Sequence, residues 1–373
     1  MDNLTHSLFA ATLARTPLAR AGRGTTAALI LASSAPDIDI VATAGGAVKY
    51  LEWHRGPTHG PLGVVALGIV TAALVWSGRR LYDRRRPPRD ADATPDASFG
   101  MLVAVSMIGI VLHIAMDLPT SYGTRPLSPF DWHWYVVDWM PIVDIYLLAV
   151  LVIGLLGRPT PSQRRAKAAF VLLLMATNYG VRGYFHHQAL EVAPRLFGPT
   201  LPPPCDPPAD TASAGRLDSW PRPAPPLPPG RRCLVEIAAM PSFTSPFRWR
   251  IIAQLSNAYE LHDIDLLDSR FRGTDSDSEV LWGLTLRYPN VWTPAVQQAA
   301  ATRVGQVFLG FSRFPAARSA VDANGATTVR WTDVRFAGGP FALDQPAPRS
   351  GMFTATVRIG PDGAVLEEFL GGR

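Results

Sequence analysis

Two histidines five residues apart lie in the stretch His54-Arg55-Gly56-Pro57-Thr58-His59. Gly56 and Pro57 break any helix, so the stretch predicts a turn whose imidazoles face a common point. Histidine is the commonest metal ligand, and it titrates near neutral pH. Three interpretations of this turn are therefore open: a metal site, a proton relay, or a polar loop at a membrane surface.

An imidazole and a carboxylate, His113 and Asp117, lie at the end of a long apolar segment. Their spacing of four residues places them on one face of a helix, one turn apart. Ionisable side chains are costly at membrane depth, so their presence there indicates a functional site. A hydrogen bond at a helix end is the simpler alternative for this pair.

Two further clusters add oxygen and nitrogen ligands. Asp37 and Asp39 follow Pro36, and they would repel each other in a low-dielectric setting unless a cation lies between them. His6 lies near the N-terminus in Asp2-Asn3-Leu4-Thr5-His6. The candidate metal ligands are His6, Asp37, Asp39, His54, His59, His113 and Asp117. This mixed set suits one or more divalent ions, with Zn²⁺ favoured and Mn²⁺ as the alternative.

The same residues suggest catalytic roles around a metal-activated water. Asp37, Asp39 or Asp117 could act as the base for that water, or bridge two ions, and Asp39 and Asp117 are the candidates selected for catalysis. Arg55 could stabilise negative charge on a phosphoryl or carbonyl oxygen. Asp131 and His133, in a later loop, are weaker candidates that fit an interfacial polar role equally well.

The elements around these residues indicate an α-helical integral membrane domain. Charged residues make up 17% of the 373 residues, and near-spanning apolar stretches recur between residues 25 and 185. Residues 3–36 predict a helical hairpin that enters the membrane and returns, because each arm reaches about half the hydrocarbon thickness. The competing interpretation is a single span over residues 25–48, which would bury Asp37 and Asp39 in the membrane.

About four transmembrane helices follow the hairpin, predicted over 61–76, 99–116, 141–156 and 168–185. Arg-rich loops after the first and third of these are predicted to be cytoplasmic by the positive-inside rule. The candidate site and the C-terminal region are then periplasmic, on the outer side of the inner membrane. The arginines therefore indicate topology rather than nucleic-acid binding, despite a net charge of +5.

The chain is predicted to divide into a membrane-embedded domain (1–190), a Pro-rich linker (191–230) and a small β-rich extracytoplasmic domain (231–373). Asn324-Gly325 and Asp362-Gly363 are hairpin-turn signals in the last of these. Cys205 and Cys233 bracket the linker, and either a disulfide or two unpaired thiols is consistent with the sequence.

Four motifs in chain order resemble the YdjM/DUF457 family of bacterial inner-membrane proteins, which are described as metal-dependent hydrolases. The motifs are Asp2-Asn3-Leu4-Thr5-His6, Pro36-Asp37-Ile38-Asp39, His54-Arg55-Gly56-Pro57-Thr58-His59 and His113-x-x-x-Asp117, followed by Pro126-Leu127-Ser128-Pro129-Phe130. The resemblance covers about residues 1–185, and it implies an inner-membrane location and bound metal. Ile40 departs from the family pattern, since a histidine is common there. The family is remotely similar to the zinc-dependent phospholipase C and P1 nuclease group.

Residues and resemblance together predict a membrane-bound metal-dependent hydrolase that acts on a phosphoester or another lipid-like or envelope small-molecule substrate. The alternative is a non-catalytic membrane scaffold or envelope-stress protein with a structural metal site. A transporter is disfavoured, because the predicted spans are few and no internal repeat is evident.

Overall fold

The computed structural model describes residues 1–85, 95–157, 160–196, 201–205, 218–221, 232–272, 285–337 and 353–371. The chain forms two compact units. The first unit contains Met1–Val41 and Arg55–Gly183, and the second contains Ala42–His54 and Tyr184–Arg373. Parts of the predicted linker (197–200, 206–217 and 222–230) and of the first Arg-rich loop (86–89) lie outside the described residues.

Helices dominate the chain before residue 193. In order they are α1 (Asn3–Leu13), α2 (Thr25–Ser34), α3 (Ala47–Trp53), α4 (Pro61–Arg85), α5 (Phe99–Asp117), α6 (Ile145–Leu155) and α7 (Pro161–Val192). Short 3₁₀ helices cover Pro17–Ala21, Pro36–Gly45, Pro57–His59 and Ala193–Leu196, and a short strand, β1, covers Trp134–Val136.

The first two helices lie side by side, with the start of α1 at the end of α2. The Oγ atoms of Ser7 and Ser34 are 3.2 Å apart, and the Ser33 hydroxyl donates to the His6 carbonyl at 3.0 Å. The backbone then bends by 44° between α2 and the 3₁₀ helix Pro36–Gly45. This bend keeps the chain from forming one straight helix through residues 25–48, and it turns the segment that carries Asp37 away from the axis of α2.

Among the described residues, two helices, α4 and α5, are long and apolar enough to cross a membrane. If α2 and the 3₁₀ helix Pro36–Gly45 are counted together as one bent span, the number of candidate spans rises to three. At 1.5 Å per residue, α4 extends about 37 Å and α5 about 28 Å, close to the roughly 30 Å hydrocarbon thickness. The other two predicted spans differ: α6 has 11 residues, and Asn178 and Arg182 interrupt the apolar run of α7.

Small residues bring α5 close to its neighbours. A Cβ atom at Gly109 would lie 3.0 Å from the Ala32 Cβ of α2, and one at Gly68 of α4 would lie 2.6 Å from the Met107 side chain. Close helix approach through small residues is typical of packing in membranes. His113, one turn beyond Gly109, consequently meets the end of α2, where its Nδ1 lies 2.7 Å from the Ser33 carbonyl.

The second unit is β-rich, as predicted, and contains two four-stranded antiparallel sheets. One sheet has the order β3 (Leu234–Pro241), β4 (Arg248–Leu255), β5 (Ala258–Asp265) and β6 (Leu286–Pro289); the other has β10 (Val365–Leu370), β9 (Thr354–Ile359), β8 (Thr327–Asp333) and β7 (Pro315–Val321). Strand β2 (Asp218–Trp220) precedes them, and the further helices are α8 (Ser269–Arg272), α9 (Pro294–Ala300), α10 (Arg303–Phe311) and a 3₁₀ turn at Val334–Phe336.

In this unit the two predicted hairpin turns are confirmed, and the state of the two cysteines is decided. Gly325 and Gly363 lie between paired strands with φ of 77° and 82°, values that glycine adopts without the steric cost of a Cβ atom. Cys205 and Cys233 are joined by a disulfide with their Cα atoms 4.9 Å apart, which decides between the two alternatives for these cysteines.

Gly60 controls the position of the turn that contains His59. A Cβ atom at Gly60 would lie 1.7 Å from the backbone oxygen of Ser128. We expect Gly60→Ala to lower the free energy of unfolding by about 1–3 kcal/mol, because the backbone must shift to relieve the overlap. Thermal and denaturant unfolding of the purified protein in detergent measures this change.

Gly100→Ala is the matched control, because a Cβ atom at this α5 position meets nothing within 4 Å. It should leave the stability unchanged or raise it slightly, since alanine favours a helix over glycine. Equal stability changes for the two variants would contradict the role assigned to Gly60.

Candidate metal centre

Four predicted ligands come together in the first unit. One ligand atom from each of Asp37, His59, His113 and Asp117 lies within 4.8 Å of the others. Asp37 comes from the 3₁₀ helix after α2, His59 from the turn before α4, and the other two from the last turns of α5. The group is therefore assembled by three chain segments that are distant in sequence.

The facing atoms of the group are all potential metal ligands. The Nε2 atoms of His59 and His113 are 3.3 Å apart, and each lies 3.7 Å from the Asp37 Oδ1. Asp117 Oδ2 is 3.3 Å from the His113 Nε2 and 3.7 Å from the His59 Nε2. Two carboxylates and two imidazoles thus point at one small volume.

Hydrogen bonds on the far side of each ring orient the imidazoles. The Ser33 carbonyl can only accept, so the His113 Nδ1 must be the donor in that 2.7 Å contact. In its neutral form His113 then presents the lone pair of Nε2 to the group. The Thr58 hydroxyl lies 3.1 Å from the His59 Nδ1, which likewise leaves the His59 Nε2 facing inward. Such outer partners are typical of metal-binding histidines.

The group is almost completely shielded from solvent. The side chains of His59, His113 and Asp117 have no exposed area, whereas Asp37 is 18% exposed. Burying an unpaired carboxylate costs several kcal/mol, so a buried carboxylate requires a cation or strong hydrogen-bond donors. Among the four residues, Asp37 is the one that solvent reaches.

His6 completes one side of the group. Its ring stacks on the His113 ring with centroids 3.8 Å apart, and its Nε2 lies 3.3 Å from the Asp117 Oδ1. His6 is fully buried, yet neither ring nitrogen has a hydrogen-bond partner among the described residues. The amino nitrogen of Met1 also contacts Asp117 Oδ1. Buried nitrogens without hydrogen bonds are rare, and they fit a place beside a cation.

Asp39 and Arg55 support the group from another side. The Asp39 Oδ2 accepts from the Arg55 backbone N–H at 2.6 Å, and this bond stabilises a backbone with φ of 51°. The guanidinium of Arg55 donates to the Gly123 carbonyl at 2.7 Å and lies 3.3 Å from the Asp117 Oδ1. It also lies over the Tyr122 ring, 4.9 Å from its centroid. The positive charge of Arg55 therefore lies at the edge of the group, next to Asp117.

The remaining predicted residues lie elsewhere. His54 follows the last residue of α3, and its ring packs against Tyr50 of the same helix, so it is not one of the four. Asp131 accepts hydrogen bonds from His133 and Tyr135, each at 2.5 Å. The Tyr135 hydrogen bond is the main cause that lowers the pKa of Asp131 to about 2, and the same bond raises the pKa of Tyr135 to about 12. Asp131, His133 and Tyr135 therefore form hydrogen bonds with one another and not with the four-residue group.

Sequence reasoning missed the groups that orient the ligands. The carbonyls of Ser33 and Gly123 are backbone atoms, and every residue has one, so no residue type identifies them. The Thr58 hydroxyl was detectable in principle, because it directly precedes His59 in the motif. The stacking of His6 on His113 depends on the packing of α1 against α5, which no local pattern specifies.

Comparisons with known proteins give one family match and one relative. The YdjM inner membrane protein family matches residues 1–189, the part that contains every residue of the group. The protein named "Uncharacterized protein YfhP" from Bacillus subtilis (strain 168) is 28% identical over 134 residues, which are 35% of this chain and 36% of that protein. The match therefore spans about a third of that relative's length. No solved structure gives a significant match. Because the family match covers just over half of the chain, the protein belongs to the YdjM inner membrane protein family.

Proposed function

We propose that this protein is a membrane-bound metal-dependent hydrolase whose centre is the group Asp37, His59, His113 and Asp117. The observation that supports this most directly is the convergence of two imidazole nitrogens and two carboxylates on one buried volume. Acceptor atoms this close repel one another unless a cation or proton lies among them. The residues present therefore fit a divalent ion.

The donor set favours Zn²⁺, with Mn²⁺ as the alternative. Asp37, His59, His113 and Asp117 would hold the ion, and His6 is proposed as a further ligand, because its buried nitrogens have no hydrogen bond. Such an ion, when bound, lowers the pKa of a coordinated water to about 7 and so supplies a nucleophile at neutral pH. The likeness to the phospholipase C and P1 nuclease group stays a prediction.

The protein's own side chains have distinct proposed roles in hydrolysis. Asp39 holds the Arg55 backbone, so it is a positioning residue in this geometry as well as a candidate base. Arg55, fixed by Gly123, offers positive charge to an anionic substrate oxygen. Asp117, within 3.3 Å of His6, His113 and Arg55, is the other candidate base or bridging carboxylate.

We propose a phosphoester or another lipid-like envelope molecule as substrate. Ile38, Ile40 and Val41 lie next to Asp37, the ligand that solvent reaches, and each is more than half exposed. Exposed apolar side chains beside a partly exposed polar ligand suit an amphiphile with its polar head at Asp37. A polar metabolite without an apolar part would gain no binding free energy from contact with these side chains.

The proposed topology has the site and the C-terminal unit on the periplasmic side of the inner membrane. The hairpin of α1 and α2 re-enters the membrane, and about four spans follow. Arginines 79, 80, 84 and 85 lie at one end of α4 and favour the cytoplasm for that end. The disulfide of Cys205 and Cys233 supports an oxidising compartment for the region after α7.

A structural metal site is the second candidate function. Three of the four ligands are fully buried, and four protein ligands are enough to close a tetrahedral zinc site without an open position. In that case the ion would hold α2, α5 and the turn before α4 together without catalysis.

The first prediction from the proposed function concerns metal content. Wild-type protein purified from zinc- and manganese-supplemented cells should hold at least one equivalent of metal by elemental analysis. His59→Ala and His113→Ala should each bind the ion at least tenfold more weakly, because each loses one inward nitrogen. His133→Ala, which alters a half-exposed histidine outside the group, is the control and should match wild type. Metal-free wild-type protein would contradict the proposal.

The second prediction separates hydrolysis from a structural role. Turnover of a chromogenic phosphodiester and of a phosphomonoester is measured for wild type and for Arg55→Gln, with metal content measured in parallel. For a hydrolase, Arg55→Gln should keep its metal and lose about 10²–10³ in kcat, because charge stabilisation of the transition state is lost. Metal-loaded wild type without turnover on phosphoesters or on extracted envelope lipids would favour the structural site.

The third prediction concerns topology. An alkaline phosphatase fusion after residue 190 should be active, because that enzyme requires the periplasm to form its disulfides. A matched fusion after Arg85, at the Arg-rich end of α4, should be inactive. Activity in the reverse pattern would overturn the proposed orientation.

A further inference from the structure

An open groove runs between α2 and α4, away from the candidate metal centre. It encloses about 480 Å³. Its lining residues are Ala27, Leu31, Leu74, Val75, Gly78, Arg79 and Tyr82. The lining is apolar along most of its length, and its two polar side chains both belong to the last three turns of α4.

The groove exists because both helices present small or exposed apolar residues there. Leu31 is 51% exposed and Leu74 is 65% exposed. A Cβ atom at Gly78 would meet nothing within 4 Å, so the glycine leaves the floor of the groove open. Helix α4 is one of the two described helices long and apolar enough to cross a membrane, and when it does so acyl chains surround an apolar groove on its surface.

The polar end of the groove is positively charged. Arg79 lies 3.5 Å from Asp83 and 3.3 Å from Asp96, and Arg23 also pairs with both carboxylates. Two arginines thus balance two aspartates. Three more arginines, Arg80, Arg84 and Arg85, give this end of α4 an excess of positive charge. Arg85 is exposed, and its spacing of seven residues from Gly78 places it on the groove face of the helix.

Arg79 brings a guanidinium to the groove. Its side chain is 27% exposed and lines the groove, while its Nη2 atom lies within ion-pair distance of both carboxylates. A phosphate oxygen is the acceptor that a guanidinium binds with paired donors. Basic pockets between transmembrane helices on the cytoplasmic side are typical sites for anionic lipid headgroups.

We propose that this groove binds one anionic phospholipid, with an acyl chain along Leu31, Leu74 and Gly78 and the headgroup phosphate at Arg79 and Arg85. From Leu74 to Arg85 the helix rises about 16 Å, which is the depth of one leaflet. The bound lipid therefore belongs to the leaflet at the Arg-rich end of α4. This site is independent of the proposed hydrolysis, because none of its residues contributes to the metal group.

Native mass spectrometry of the full chain in a mild detergent tests this proposal. The protein is delipidated and then incubated with equal amounts of phosphatidylglycerol and phosphatidylcholine with the same acyl chains. Wild type should retain one phosphatidylglycerol per chain, at least fivefold in excess over phosphatidylcholine. Equal retention of the two lipids would overturn the assignment of the headgroup site.

Two variants test the two halves of the site. Gly78→Leu places a side chain in the groove at a position where a Cβ atom meets nothing within 4 Å, and it should reduce retained lipid at least fivefold. Gly100→Leu, at a helix position where a Cβ atom also meets nothing within 4 Å, should match wild type. Unchanged lipid retention by Gly78→Leu would overturn the assignment of the groove as the binding site for the acyl chain. The double variant Arg79→Gln/Arg85→Gln should lose the preference for phosphatidylglycerol, and a preference that persists would overturn the role of these arginines.

Discussion

The buried carboxylate of Asp117 is the constraint on which the first unit depends. A carboxylate with no exposed area, at the end of an apolar helix, is costly unless positive charge or donors surround it. His6, Arg55 and His113 lie within 3.3 Å of its oxygens, and His59 within 3.7 Å. His6 belongs to α1 and His113 to α5, and Arg55 and His59 lie in the segment between α3 and α4. The need to compensate one charge thus brings distant segments to the same point.

Helix packing makes this convergence possible. Gly109 and Ala32 let α5 approach α2 so closely that the Ser33 carbonyl becomes the hydrogen-bond acceptor for His113. A Cβ atom at position 109 would lie 3.0 Å from the Ala32 Cβ, so a larger residue there would push the two helices apart. On the other side, Gly60 lets the turn with His59 lie against the Ser128 backbone. The chemistry of the histidines therefore depends on glycines that have no chemical function of their own.

The sequence predicts the members of the buried group better than it predicts the scaffold. His59, His113, Asp37 and Asp117 were identifiable as candidates because ionisable side chains are conspicuous in apolar surroundings. His54 has the same residue type and belongs to the same motif, but the turn directs it to Tyr50, and only the backbone after α3 decides that. The spans were harder to predict. An apolar run in the sequence does not show where its helix ends or which other helices it packs against. The run that forms α6 yields a helix of only 11 residues, and the run in α7 contains polar residues.

Helix α7 shows why composition alone misleads. Arg182 interrupts an apolar run, yet it is fully buried and lies 2.6 Å from Asp144, which also caps the start of α6. A buried pair of this kind needs both partners in place, so it can be recognised only when the two helices are seen together. Neither residue, read alone, indicates whether it marks a function or a packing contact.

The two ends of α4 have different chemistry, and its length explains why they can. Its first residue, Pro61, follows His59 by two positions, whereas its last, Arg85, lies about 37 Å away along the axis. That distance is close to the thickness of a bilayer, so the acidic and imidazole ligands and the arginine cluster lie in different leaflets when α4 crosses the membrane. Their charges are also too far apart to compensate each other through water at physiological ionic strength, where the Debye length is about 8 Å. Each end must therefore find its counter-charges locally. Arg55 and the nearby imidazoles lie beside the Asp117 carboxylate at one end, and Asp83 and Asp96 lie beside Arg79 and Arg23 at the other.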